Sequence, residues 1–420
     1  MKKTKSVVAM LMALTMTAAL AGCGSGSGGS SAASSGGADA SAASSAAASS
    51  AEDTSAAASS TSESAAPAAS GETATYTLAV VGPMTGDSAN NGTQFQRAAE
   101  MAIEEINAKA DGYQLEFVVG DDQAQPNQGL IVAEKFASDD SILGIVGHNN
   151  SGVTMACLET YSQYGMPVVS PTCTATDLTE AGYDNFFRVI MSDKDYKAQY
   201  AQIGVEKFGA TKPAIFWENT DYGKGGRDVV AGWLEENGID LVEDLSYNPS
   251  TDRDFSAQIT KMKESGVDLV YVLSGEYTAG ALFTKQAKTL GLEATLFGAG
   301  DCYNPNFLEI SEDAGEGFHC LTAFDATNPA ENVQEFVEAY HEKFDEMPGE
   351  WAAHAYDTVQ AYAKAIEAGA TDRASCIEKL RDVTFEGVSG HIEFDEKGDV
   401  VGKETFLTII EDGKFVADES

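Results

Sequence analysis

The run ILGIVGHNNSGVT, residues 142–154, changes character twice along its length. Ile142, Leu143, Gly144, Ile145 and Val146 form a short unbroken apolar stretch, the pattern of a strand buried on both faces. Asn149, Asn150 and Ser151 then make an uncharged polar tip. From Gly152 the pattern turns helical, with Ser151 at or near the N-cap. A helix N-terminus offers free N–H groups and a partial positive charge, which suits an anionic group; plain capping by Ser151 is the alternative. Strand, polar corner and helix together are the repeating unit of an α/β fold, and the flanking sequence repeats it.

Upstream, residues 76–81 predict a strand ended by Gly82-Pro83, followed by a helix with Phe95, Ala98, Ala99, Ala102, Ile103 and Ile106 on one face. A second strand over 115–119 stops at Asp121-Asp122, and Pro126 sits near the next helix start. Downstream, the apolar 166–169 leads into a second hydroxyl cluster, Ser170, Thr172 and Thr174, around Pro171 and Cys173. Strands over 214–217, 267–273 and 295–297 then alternate with helices over 225–236, 255–263 and 279–290. Longer helices follow, one with the stripe Val333, Phe336, Val337, Tyr340 and Phe344, another over 352–367. This alternation predicts parallel sheets with helices on both faces and ligands at the C-terminal strand ends. The 420 residues exceed the usual size of one core, so two domains are expected.

Composition narrows the function. A formal charge of −39 repels nucleic acid and anionic membrane. The five histidines include no HExxH pair, which leaves metal catalysis little to build on. VVGPMTG at 80–86 is not a dinucleotide fingerprint, and DYGKGG at 221–226 is not a P-loop. DEKGD at 395–399 lacks the EF-hand ligand series and reads as a hairpin turn. No GxSxG or SxxK nucleophile motif stands out, so an enzyme, a cofactor and a metal are not expected.

The N-terminus assigns a compartment. Lys2, Lys3 and Lys5 precede an apolar segment over 7–20, shorter than the ~20 residues that span a bilayer. Leu20-Ala21-Gly22-Cys23 resembles the lipobox of bacterial lipoproteins, in which the cysteine is lipidated and becomes the new N-terminus. Residues 1–22 are therefore expected as a signal peptide, and 23–72 as the lipidated Cys23 with a Ser/Ala/Gly tether too polar to fold. Five cysteines remain, Cys157, Cys173, Cys302, Cys320 and Cys376, with no CxxC spacing, so at least one thiol is unpaired.

VVGPMTG, DDQAQPNQG, GHNNSGVT, SPTCTATDLTE, NTDYGKG, DFSAQITKMK, LFTKQAKTLGL and FEGVSGHIEFDEKGD occur in that order between Tyr76 and Val416. This ordered set resembles the leucine/isoleucine/valine-type substrate-binding proteins of ABC transporters. The resemblance implies a type I periplasmic-binding-protein fold, two doubly wound α/β lobes joined by three hinge strands with the ligand between them. It places the lobes at 73–192 plus 323–389 and at 193–322 plus 390–420, with crossings near Ser192-Asp193, Thr322-Ala323 and Ser389-Gly390. It implies that Ser151, Gly152 and Thr174 meet a ligand carboxylate, and that the Thr172 carbonyl and an acid of the second lobe meet its ammonium. Tyr222 and Tyr277 match the second-lobe wall. Asn91 stands where some members place an aromatic ring, a family disulfide across the positions of Ala124 and Asn150 is absent, and the expected acid is displaced by one position to Asp301, with Glu276 in reserve. The implied function is capture of an amino acid, branched-chain by family default, outside the cytoplasm by a membrane-anchored lipoprotein, and its delivery to an ABC permease with its ATPase. A sensory ligand-binding module and an amide or urea receptor are the alternatives within this fold.

Overall fold

A computed structural model describes residues 73–418; the lipobox cysteine, the signal segment and the tether lie outside the described residues. The first sheet grows from β1 (Ala74–Gly82), α1 (Ala89–Lys109), β2 (Tyr113–Asp121), α2 (Pro126–Ala137), β3 (Ile142–Val146), α3 (Ser151–Gln163), β4 (Val168–Ser170), a single-turn α4 (Asp177–Glu180) and β5 (Phe186–Arg188). Its order is β2-β1-β3-β4-β5, parallel throughout. Every residue of β3 is buried, which explains its unbroken apolar run. The chain runs one way from β1 to β2 and the other way from β3 to β5. The topological switch point therefore lies between β1 and β3, the position where open sheets of this kind form a crevice.

The second sheet follows the same logic through α5 (Asp193–Glu206), β6 (Pro213–Glu218), α6 (Asp221–Glu236), β7 (Glu243–Tyr247), α7 (Ser256–Ser265), β8 (Leu269–Leu273), α8 (Tyr277–Leu290), β9 (Thr295–Gly298), α9 (Pro305–Ser311) and β10 (His319–Thr322). Strands β7-β6-β8-β9-β10 are parallel, and the switch point falls between β6 and β8. Helix α6 begins at Asp221, four residues before the expected start. Thr220 caps it, its hydroxyl accepting from Gly223 N at 3.2 Å. Gly223, which depresses helix propensity in the sequence, is there for space: a Cβ would stand 1.9 Å from the Glu218 carbonyl.

The chain then returns to the first sheet with α10 (Glu331–Phe344), α11 (Glu350–Glu367), α12 (Arg373–Leu380) and the hairpin β11 (Thr384–Gly387) and β12 (Gly390–Glu393). Helix α11 is buried on nearly all sides, its alanines allowing close approach. Its Tyr362 hydroxyl donates to the Ile145 carbonyl at 2.8 Å and the Pro167 carbonyl at 3.1 Å, and a Cβ on Gly144 would lie 2.5 Å from that ring. The expected crossing at Ser389-Gly390 falls instead in the tight end of this hairpin, held by Asp357 through Val388 N and Ser389 N at 2.9 and 2.7 Å. Asp399 still pairs with Arg188 of β5 at 2.5 Å. The chain reaches the second sheet only with β13 (Phe406–Glu411).

That last step also modifies the sheet. β13 and β14 (Lys414–Ala417) add to β10 as an antiparallel edge on the otherwise parallel second sheet. The turn between them is Asp412-Gly413, both at positive φ, 50° and 70°. Such an Asp-Gly pair matches the right-handed strand twist of a tight hairpin. All described residues belong to one compact unit, Ala68–Ser420.

Candidate functional site

The first wall is built at the C-terminal ends of β3 and β4. Asn150 supplies the backbone N-cap of α3, and no side chain caps that helix, so Ser151 is its first residue rather than the cap. The first-turn N–H groups are left for another acceptor. The two loops are stitched together behind this corner. Ser170 Oγ donates to the His148 carbonyl at 3.2 Å and accepts from Cys173 N at 3.1 Å. Thr172 Oγ1 donates to the Asn149 carbonyl at 2.9 Å. Arg188, fully buried, donates to the carbonyls of Cys173 and Ala175 at 3.1 and 2.8 Å, which fixes the segment carrying Thr174. Thr174 itself is buried with no hydrogen-bond partner for its hydroxyl, while Ser151 Oγ accepts only a long bond from Ala175 N, 3.4 Å.

A buried ion pair backs the corner. His148 Nδ1 lies 2.7 Å from Asp122 Oδ2 and its Nε2 2.8 Å from the Tyr161 hydroxyl, all three residues fully enclosed. Burial opposes a charge on this imidazole, yet the bond to Asp122 outweighs it and holds the group protonated up to about 10. This pair ties the loop after β2 to the loop after β3, the two loops that a disulfide was expected to join in relatives.

The second wall comes from α5, α6 and the turn after β9. Tyr222, second residue of α6, donates its hydroxyl to Asp301 Oδ2 at 3.0 Å and accepts from Lys197 Nζ at 3.2 Å. Lys197 is fully buried and lies over the rings of Tyr196, Tyr222 and Tyr200 at 4.7, 5.1 and 5.6 Å. Asp193, one helical turn before it, is buried with no hydrogen bond of ordinary length to either carboxylate oxygen, and burial pushes its carboxyl up against the pull of Lys197 and the nearby Thr174 hydroxyl. Burial also raises Asp301, to about 8, with Glu218 adding repulsion and Lys197 pulling the other way. Around neutral pH this wall holds an acid short of an opposite charge. The first wall offers N–H and hydroxyl donors and no free charge.

The walls meet. A Cβ on Gly152 would lie 3.0 Å from Asp221 Oδ2, and Asn304 Nδ2 donates to Asn90 Oδ1 at 3.3 Å. Arg253 Nη2 reaches Asp87 Oδ2 at 2.5 Å. A cavity of about 500 Å3 between the two switch points is lined by residues of both walls, among them Ser88, Asn150, Glu218, Thr220 and Glu276. A second, of about 570 Å3, opens beside Ser151, Ala175, Asp221 and Gly225.

Of the residues expected at the site, Ser151, Gly152, Thr172 and Thr174 share the first corner, and Tyr222 and Asp301 are bonded to each other on the second. Asn91 lies buried in the first turn of α1, at the β1 side of the switch point. Tyr277 opens α8 at the end of β8, largely buried, with no tie to Asp301. Glu276, the reserve acid, caps α8: its carboxylate accepts from Thr278 N and Ala279 N at 2.9 and 3.0 Å. Glu218 is likewise occupied by Thr220 Oγ1 at 2.6 Å and Gly275 N at 2.7 Å. Sequence reading missed Asp193, Lys197 and His148. The first two carry a legible signal, a carboxylate and an ammonium four residues apart beside tyrosines at 196 and 200, which reads equally as a solvated helix face.

Comparison with known proteins follows the same outline. A family model described as periplasmic binding protein matches residues 75–414. The leucine-, isoleucine-, valine-, threonine-, and alanine-binding protein of Pseudomonas aeruginosa is 33% identical over 329 residues, covering 78% of this chain and 87% of its own. A leucine-binding protein from Thermotoga maritima superposes with a TM-score of 0.77 at 27% identity, covering 82% of this chain and 97% of that one. The branched-chain amino acid transporter substrate-binding protein of Streptococcus pneumoniae, solved in complex with isoleucine, gives 0.76 at 27% identity over 82% and 98% of the two chains.

Proposed function

The chain belongs to the periplasmic binding protein family, and on that premise we propose that it captures an α-amino acid between its two walls and delivers it to an ABC permease. The observation that carries this reading is the opposition of two unlike surfaces. The uncapped α3 terminus and the unpartnered Thr174 hydroxyl suit a carboxylate, and the buried Asp301 across from them suits an ammonium. Ser151, Gly152 and Thr174 hold the carboxylate; Asp301, steadied by Tyr222 and Lys197, holds the ammonium with the Thr172 carbonyl. The body then comprises two lobes, 73–192 with 323–400 and 193–322 with 406–420, which close on the ligand; closure, not catalysis, is the working step. The protein acts outside the cytoplasm, held to the membrane by lipid on Cys23. Among the described residues no helix is long and apolar enough to cross a membrane.

A receptor for an uncharged amide is the second reading, favoured by the same Asp301: raised to about 8, it is protonated at neutral pH and able to donate. Calorimetry of residues 73–420 against the twenty amino acids and against small amides decides. Saturable binding of an α-amino acid, lost when its ammonium is acetylated, is expected. Binding of amides alone would refute it. Ligand at 100 times Kd should add about 2.7 kcal/mol of stability.

A further inference from the structure

Three carboxamides at the first switch point are enclosed and incompletely bonded. Asn91 is 1% exposed with neither its amide nitrogen nor its oxygen partnered. Gln94, on the next turn of α1, and Asn149, at the end of β3, each keep a buried side-chain oxygen without a donor. Their neighbour shows that this is not general here. Asn90 Oδ1 accepts from Gln94 Nε2 at 2.7 Å and, across the cleft, from Asn304 Nδ2 at 3.3 Å. Buried polar groups are rarely left unmade in a folded protein, so an unpartnered pair of amide atoms at a crevice points to a group that arrives later.

The facing side of the cleft is also polar, yet its charges are spent. Glu218 and Glu276 accept from their own loops, and on the opposite side the 500 Å3 cavity is lined by Asn150, whose Oδ1 accepts from Asn149 Nδ2 at 3.4 Å. An aliphatic side chain would seal Asn91 in without partners. One that hydrogen bonds would complete it, and sites built that way discriminate strongly against analogues lacking the polar group. We infer that the amino acid captured here carries an uncharged hydrogen-bonding side chain, a carboxamide or a hydroxyl, read by Asn91 and Asn149. This rests on the amino-acid reading given above and specifies it.

The test is a calorimetric panel on residues 73–420: glutamine, asparagine, serine and threonine against leucine, isoleucine and valine. At least one polar member should bind about tenfold or more tightly than every aliphatic one, and Asn91→Leu should cut that preference at least about tenfold, chiefly by weakening the polar ligand. Asn149→Leu provides the same reading should Asn91→Leu not fold, as judged by circular dichroism, and the wild-type ranking stands without either variant. Tighter binding of leucine, isoleucine or valine than of all four polar members overturns the inference and leaves the amino-acid reading intact. Binding of no amino acid overturns both.

Discussion

At the residue scale, one acid carries the sharpest consequence. Asp301 is raised from 3.8 to about 8 by burial, so between those values the folded chain binds a proton that the unfolded chain has lost. The stability of the unliganded protein should therefore fall as pH rises through this window. An ammonium ligand favours the ionised form, so affinity should rise from pH 6 to 8, and binding near pH 7 should release a proton. Calorimetry in buffers of different ionisation enthalpy measures that release. Asp301→Asn should abolish it and weaken binding at least tenfold, about 1.4 kcal/mol. Ser151 and Thr174 are a separate case. Neither side chain caps α3 and Ser151 Oγ takes only the long bond from Ala175 N, so Ser151→Ala with Thr174→Ala should change the melting temperature little. Affinity should fall by about 1.5–3 kcal/mol for each lost bond to the carboxylate, and unchanged affinity would return both residues to a packing role. The sequence marked these hydroxyls because they stand at strand ends. It did not mark Asp193 and Lys197, since spacing alone does not tell an exposed helical pair from one turned inward.

At the element scale, the loops after β2 and β3 depend on a charge pair. Removing His148 strands Asp122 in a fully buried position. His148→Ala should cost about 3–5 kcal/mol of stability by chemical denaturation and should also weaken ligand binding, because the corner carrying Ser151 loses its backing. The imidazole is held up at about 10, above its ordinary 6.5, so its contribution is complete below pH 6.5 and lost as pH rises through 10. A denaturation midpoint that shows no loss from this pair on the alkaline side would contradict the assignment. Helix starts were the least legible elements. By propensity Gly223 disfavours a helix beginning at Asp221, yet the close approach of the Glu218 carbonyl requires a residue without a Cβ there. The run Gly387-Val388-Ser389-Gly390 reads in sequence equally as a crossing and as the turn of a hairpin.

At the scale of the whole molecule, the proposed capture and the proposed anchoring fall on separate segments. With Cys23→Ala, metabolic labelling by a fatty acid should disappear while residues 73–420 keep their ligand affinity; undiminished label would refute the anchor. Hydrophobic patterning pointed to the architecture, since β3 and β8 are buried at every position and short apolar runs alternating with helices fit the interior of a parallel sheet. Turn chemistry determined the Asp412-Gly413 hairpin as well, although its place at the edge of the second sheet did not follow from it. Which groups meet within each wall was decided by the tertiary structure alone. Tyr222 and Asp301 are 79 positions apart, and Asp122 and His148 are 26 apart. Their pairing depends on each sheet bringing its own strand ends together, and burial there shifts the protonation of Asp301 and His148. Local sequence records which groups are present, while desolvation and partner distance, which set their charge, exist only once the chain has folded.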